Sequence, residues 1–137
     1  MRERAAESLT ALLAYNAGEL RVLLENHGGL SSDPEWLLSL VRLVDNPALG
    51  TLPDFGNFPA EVDRYAAVEA LMPYAGAVSA KCYDFAEDGG ETRIDFARMM
   101  AIVRAAGYAG HIGVEYEGTR LPEREGILAA KALLERV

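Results

Sequence analysis

A single cysteine, Cys82, and two histidines, His27 and His111, are all this chain offers of thiol and imidazole side chains. One thiol excludes an intramolecular disulfide and any zinc site built on several thiolates. No apolar stretch approaches the ~18–20 residues of a membrane span, and the N-terminus lacks the apolar region of a signal peptide. Basic residues are also scarce, 13 against 21 acidic, for a formal charge of −8. That field repels phosphate backbones, and no Lys/Arg stripe offsets it, so nucleic acid is disfavoured as a partner. A cytoplasmic protein without membrane or nucleic-acid contacts is expected. What is present is half hydrophobic and one quarter charged over 137 residues. This composition and length suit a single packed domain over residues 1–137.

Four short apolar runs, 21–25, 50–54, 77–81 and 111–115, end on the ionisable residues Glu25, Asp54, Lys81 and Glu115. A loop and a segment of helical periodicity follow each run. Strand, polar tip, loop and helix, repeated in this way, are the units of a (β/α) barrel, where chemistry collects at the C-terminal strand ends. The spacing predicts helices over 3–15, 34–44, 59–72, 95–106 and 123–137. Asn16-Ala17-Gly18 stops the first helix, Ser32 or Asp33 caps the second ahead of Pro34, and Pro59 opens the third. Pro53 removes a ladder donor just before Asp54, so pairing should end there. The fold class is therefore α/β: half of a (β/α)8 TIM barrel, with four parallel βα units behind an N-terminal helix. Such an arc has open edges and an inward apolar face with nothing opposite. Two copies pairing through that face would complete the barrel.

Glu25, Asp54 and Glu115 would point from neighbouring strand ends into one mouth. Carboxylates so placed repel unless a cation or a proton intervenes, although strand ends are also places where solvated acids are common. Oxygen ligation suits Mg²⁺ or Mn²⁺, and a mixed nitrogen and oxygen set also holds Co²⁺ or Zn²⁺. His27, in the glycine-rich turn after Glu25, is either a substrate-binding or supporting group or a loop histidine bonded to backbone. Lys81 either polarises a substrate oxygen or forms an ion pair with the carboxylates. Asn57, with Phe55 and Phe58, either walls a sugar-sized ligand or belongs to packing under the loop. Gly28-Gly29 offers a weak anion-binding signal. Trp36, Met72, Met99 and Met100 fall on helical stripes and read as core. Cys82 should face the helices, and His111 should sit on the far rim.

At Glu25-Asn26-His27-Gly28-Gly29, Asp54-Phe55-Gly56-Asn57-Phe58, Ala80-Lys81-Cys82-Tyr83-Asp84-Phe85 and Gly113-Val114-Glu115-Tyr116-Glu117-Gly118, the chain resembles the xylose isomerase-like TIM-barrel superfamily. The likeness is closest to its sugar phosphate isomerase/epimerase branch. It covers residues 21–137 and corresponds to strands five to eight of that family. The resemblance implies a divalent metal (Mn²⁺, Mg²⁺, Co²⁺ or Zn²⁺) held by Glu25, Asp54 and Glu115. It implies proton transfer between neighbouring sugar carbons by Glu25 and Glu115, and a sugar or sugar phosphate as substrate, with His27, Lys81 and Asn57 as binding residues. Two departures accompany it. The family's His-x-Lys is here Ser79-Ala80-Lys81, which removes a ligand and weakens the metal site, and its Asp-x-Gly-His is Asp54-Phe55-Gly56-Asn57. The expectation is an isomerase or epimerase-like protein, as a homodimer or as part of a longer barrel. The alternative is a non-catalytic half-barrel that binds a small polyol or serves as an assembly unit.

Overall fold

The computed structural model describes residues 1–16 and 19–137. Ala17 and Gly18, part of the stop predicted for the first helix, lie outside the described residues. Among the rest are five α-helices and four short parallel strands, in the order α1 Arg2–Asn16, β1 Val22–Glu25, α2 Pro34–Val44, β2 Leu49–Leu52, α3 Arg64–Leu71, β3 Val78–Cys82, α4 Phe96–Ala105, β4 Ile112–Tyr116 and α5 Glu123–Arg136. This is an α/β arrangement of the kind found in part of a TIM barrel. None of its helices is long and apolar enough to cross a membrane.

Capping residues set the helix starts. Asp33 accepts from the amides of Glu35 and Trp36, with Pro34 in the first turn of α2, where a missing N–H leaves no bond unmade. Pro59 does not open α3, contrary to the sequence expectation. Asp63 caps it instead, accepting from Tyr65 and Ala66, because a side-chain acceptor satisfies orphan amides that a proline leaves untouched. Asp95 caps α4 through the Arg98 amide.

β1 pairs with β2 in register Glu25 to Leu52, and β3 pairs with β4 with Lys81 opposite Glu115. Two isolated bridges, Thr51 with Ala75 and Asp54 with Ser79, join the two pairs. Pro53 ends the β1–β2 ladder as predicted, yet its carbonyl still accepts from the Ser79 amide at 2.9 Å. The chain therefore passes from one neighbour to the other at the tip of the strand.

Successive strand residues face opposite ways. Val78, Ala80, Cys82, Ile112, Val114 and Tyr116 pack into a core with α3, α4 and α5. A smaller cluster of Leu13, Val41 and Leu49 seats α1 against α2 and the start of β2. Met72, Met99 and Met100 are buried and Trp36 is packed against the core, as expected. Cys82 is fully buried, and desolvation first, then nearby carboxylates, push its thiol up to about 12, which leaves it unreactive. In α5 the buried residues are Gly126, Ala130 and Leu133. Ile127, predicted for the buried stripe, is 45% exposed, because the helix turns Gly126 toward the Tyr116 ring.

The opposite face of the strands also departs from expectation. It carries Ser79, Lys81, Gly113, Glu115 and Gly50, with Leu23 and Leu52 as its strand leucines. The predicted apolar inner wall is therefore mostly polar, since the residues that alternate with the core positions are small or charged.

Candidate functional site

The C-terminal ends of the strands bring Glu25, Asp54 and Glu115 together. One carboxylate oxygen from each lies within 4.8 Å of the other two. Asp54, short and fully buried, rises from the inner part of the array, whereas the longer glutamates reach in from the outer strands β1 and β4.

Asp54 is held tightly. Its backbone is clamped by Asn26, whose Oδ1 accepts from the Asp54 amide at 2.8 Å and whose Nδ2 donates to the Asp54 carbonyl at 3.0 Å. Its Oδ1 accepts from the Gly56 and Asn57 amides, both at 2.8 Å. Its Oδ2 is buried and has no hydrogen-bond partner. Burial raises the Asp54 pKa above the ordinary 3.8, while the Ser79 hydroxyl, those two amides and the Lys81 charge act the other way.

Lys81 is buried to 2% side-chain exposure beneath this rim and contacts Glu115 Oε1 at 3.1 Å and Glu117 Oε1 at 3.0 Å. Its ammonium also donates to Asn57 Oδ1 at 2.7 Å. Burial pulls its pKa down, but the bonds to Glu117 and Glu115 and the Asp54 charge outweigh that, so the net shift is upward. Gly56 makes the placement possible: a β-carbon there would meet the Lys81 stem at 2.8 Å. The Lys81–Glu115 ion pair, one of the two readings of Lys81, is present.

Asn57 joins the two halves of the mouth. Its Nδ2 lies 3.4 Å from both Glu25 Oε1 and His27 Nδ1. His27 is 65% exposed, with Nδ1 also 3.4 Å from Glu25 Oε1. The two share an open cleft of about 400 Å³ with Gly28, Gly29, Ser32, Gly56, Phe58 and Pro59, near the lower end of ligand-pocket sizes. A second cleft of about 440 Å³ lies at the other end of the strands, around Arg21, Arg42 and Asp45, and neither cleft is lined by the converging carboxylates themselves.

Other sequence readings resolve differently. Phe55 is fully buried edge-on to Phe96 at 5.7 Å, so it packs under the loop. Gly28 adopts φ +83°, a backbone state that glycine reaches without strain, but its amide donates to Ser32 Oγ at 2.7 Å. The His27 amide is likewise taken by Ser31 Oγ. The anion cradle is therefore filled by the chain's own hydroxyls. His111 precedes β4 at the far rim, as expected.

Asn26 and Glu117 are contributors that the sequence reading passed over. Glu117 lies two residues beyond Glu115, so the strand period alone places it on the same side. Asn26 gives no such signal, since only the fold reveals which backbone it clamps. Asp84 is a third organiser: its Oδ1 accepts from the Thr119 and Arg120 amides at 3.0 and 2.9 Å, tying the loop after β4 to the loop after β3. The Arg120 N–H above all holds its carboxyl below the ordinary 3.8; burial, the next largest influence, acts the other way and is offset by the Thr119 amide and the Arg120 and Arg93 charges. A lowered folded-state pKa stabilises the fold above the unfolded value, and that stability fades as the pH falls through the folded one. Asp84→Asn should therefore lower the urea midpoint at pH 7 and lose that deficit only as the pH falls through the folded-state pKa, below the ordinary 3.8, as paired denaturation curves would show.

The donor set fits a hard divalent cation. The Glu25, Asp54 and Glu115 carboxylates converge, the Lys81 ammonium reaches Glu115 and Glu117, and the fully buried Asp54 Oδ2 has no hydrogen-bond partner of its own. Isolated, such an oxygen is unfavourable, and a cation satisfies it. Comparison with known proteins agrees with this architecture. Residues 1–137 match the family described as xylose isomerase-like TIM barrel, a match that includes α1, ahead of the first of the four motif blocks. No curated protein matches the sequence. The chain belongs to the xylose isomerase-like TIM barrel family.

Proposed function

We propose that this chain is a divalent-metal-dependent, sugar or sugar-phosphate isomerase/epimerase-like protein, contributing four βα units of a barrel as a single domain over 1–137. The observation that carries the reading is the convergence of one oxygen each from Glu25, Asp54 and Glu115 within 4.8 Å of one another, beside a fully buried Asp54 Oδ2 that has no hydrogen-bond partner. Glu25, Asp54 and Glu115 would hold the ion. Bound there, a metal supplies Lewis-acid polarisation of a substrate carbonyl and its neighbouring hydroxyl.

The chain's own residues do the rest. Glu25 and Glu115 approach the gap from opposite outer strands, so a sugar seated over it would meet both carboxylates at its edge. One would take the proton from the hydroxyl-bearing carbon, the hydroxyl proton would pass to the carbonyl oxygen, and the other would return a proton to the former carbonyl carbon, which is general acid–base catalysis by positioned groups. Lys81 fixes the Glu115 carboxylate through Oε1 and balances part of the negative charge. Asn57 and His27 flank Glu25 and present polar atoms to hydroxyl groups entering the cleft. A second copy or a further chain would complete the barrel around this site.

Titration with Mn²⁺, followed by electron paramagnetic resonance, tests the reading. Binding below about 1 mM is expected, with at least tenfold weaker binding for Glu25→Gln. No binding at millimolar Mn²⁺, with Glu25→Gln indistinguishable from the parent, would replace this reading with a non-catalytic unit for polyol binding or assembly.

A further inference from the structure

The ligand atoms that gather at this centre are all oxygens. Glu25, Asp54 and Glu115 supply the three carboxylates, and the third strand offers the gap Ser79. The Asp54–Ser79 bridge sets these two residues side by side, and Ser79 Oγ donates to Glu115 Oε2 at 3.4 Å. Period-two alternation turns Ser79 and Lys81 to the same side of β3, and Lys81 is committed to Asn57, Glu115 and Glu117. The softer donors lie elsewhere. The His27 ring is at the solvent rim and outside the group of converging ligand atoms. His111 is at the opposite strand ends, and the Cys82 thiol is in the core.

We infer that Ser79 is the residue that sets metal preference here, giving an all-oxygen centre that favours Mg²⁺, Mn²⁺ and Ca²⁺ and lacks the usual advantage of Co²⁺ and Zn²⁺. The inference rests on the metal-dependent reading above. Nitrogen and sulfur donors are what widen the affinity gap between Mn²⁺ and Zn²⁺, whereas carboxylate, hydroxyl and water compress it. The small Ser79 side chain also leaves room for water, which hard cations retain readily. Asp54 Oδ2, buried and unpartnered, marks the point toward which such an ion would be drawn.

The test uses the full chain, its Ser79→His variant and a Ser79→Ala control. Mn²⁺ binding is read by electron paramagnetic resonance, with Zn²⁺ and Co²⁺ as competitors. The parent should bind Zn²⁺ no more than about tenfold more tightly than Mn²⁺. Ser79→His should widen that ratio by about 100-fold and shift the visible bands of bound Co²⁺ toward those of nitrogen ligation. Ser79→Ala should keep the parental order. A parent that already prefers Zn²⁺ by more than about 100-fold overturns the inference, and this measurement decides the matter even if Ser79→His does not fold. An unchanged ratio in a folded Ser79→His also overturns it, while leaving the metal-dependent reading intact. Absence of Mn²⁺ and Co²⁺ binding to both parent and variant overturns the metal-dependent reading itself.

Discussion

Asp54→Asn is expected to abolish divalent-ion binding and, in the metal-free protein, to raise stability. The ion would lose its buried anionic ligand, a loss on the order of 100-fold or more in affinity. The fold, by contrast, would be relieved of a desolvated charge. Asparagine keeps an oxygen that can accept from the Gly56 and Asn57 amides, and a neutral NH₂ would replace the Oδ2 that now has no partner. A gain of about 1 kcal/mol follows from exchanging an unpaired buried carboxylate for a neutral amide. Calorimetric titration and urea denaturation of the same preparation measure both effects. A variant that binds Mn²⁺ like the parent would remove Asp54 from the ligand set. Stability and binding pulling in opposite directions is the pattern of a residue retained for function.

Lys81→Met should show the reverse pairing. Methionine preserves the aliphatic stem that lies under Gly56 but removes the only ammonium that contacts Glu115, Glu117 and Asn57 among the described residues. Glu115 and Glu117 are 39% and 51% exposed and can rehydrate, whereas Asp54 cannot. The expected destabilisation of the metal-free chain is about 2 kcal/mol, below the range for breaking a fully buried pair. Divalent-ion affinity should rise by at least about tenfold, because a positive charge 3.1 Å from a Glu115 oxygen opposes the incoming cation. Saturating Mn²⁺ should then restore the lost stability by mass action. Lower affinity in Lys81→Met would mean that the ammonium holds Glu115 in its ligating position more than it repels the ion.

The rim where Glu25, Asp54 and Glu115 meet was legible in the sequence because parallel strands all present their C-terminal ends on one side. Strand alternation carried Cys82 into the core and Lys81 to the mouth for the same reason. What escaped the reading depends on partners distant in sequence. Asn26 matters through the backbone of Asp54, and Asp84 through the amides of Thr119 and Arg120, so neither has a local pattern. Pro59 looked like a helix start because proline suits the first turn, but Asp63 offered two hydrogen bonds and prevailed. Ile127 matched the helical period yet faces solvent, since Gly126 permits a close approach to Tyr116 that rotates α5. The inner strand face was misjudged as apolar because the runs were read as hydrophobic blocks. Taken residue by residue, Ser79, Lys81, Gly113 and Glu115 already showed the alternation.

The division of labour between two long acidic side chains on outer strands and one short one between them has a further consequence. What assembles the rim is reach, not the number of negative groups. Exchanging Glu25 for aspartate would conserve every formal charge while withdrawing one oxygen by a methylene, roughly 1.5 Å, several times the roughly 0.2 Å tolerance of a coordination bond. A chain of this kind can thus keep its acidity, its fold and its isoelectric point and still lose its centre, because the property the centre depends on is the length of a lever.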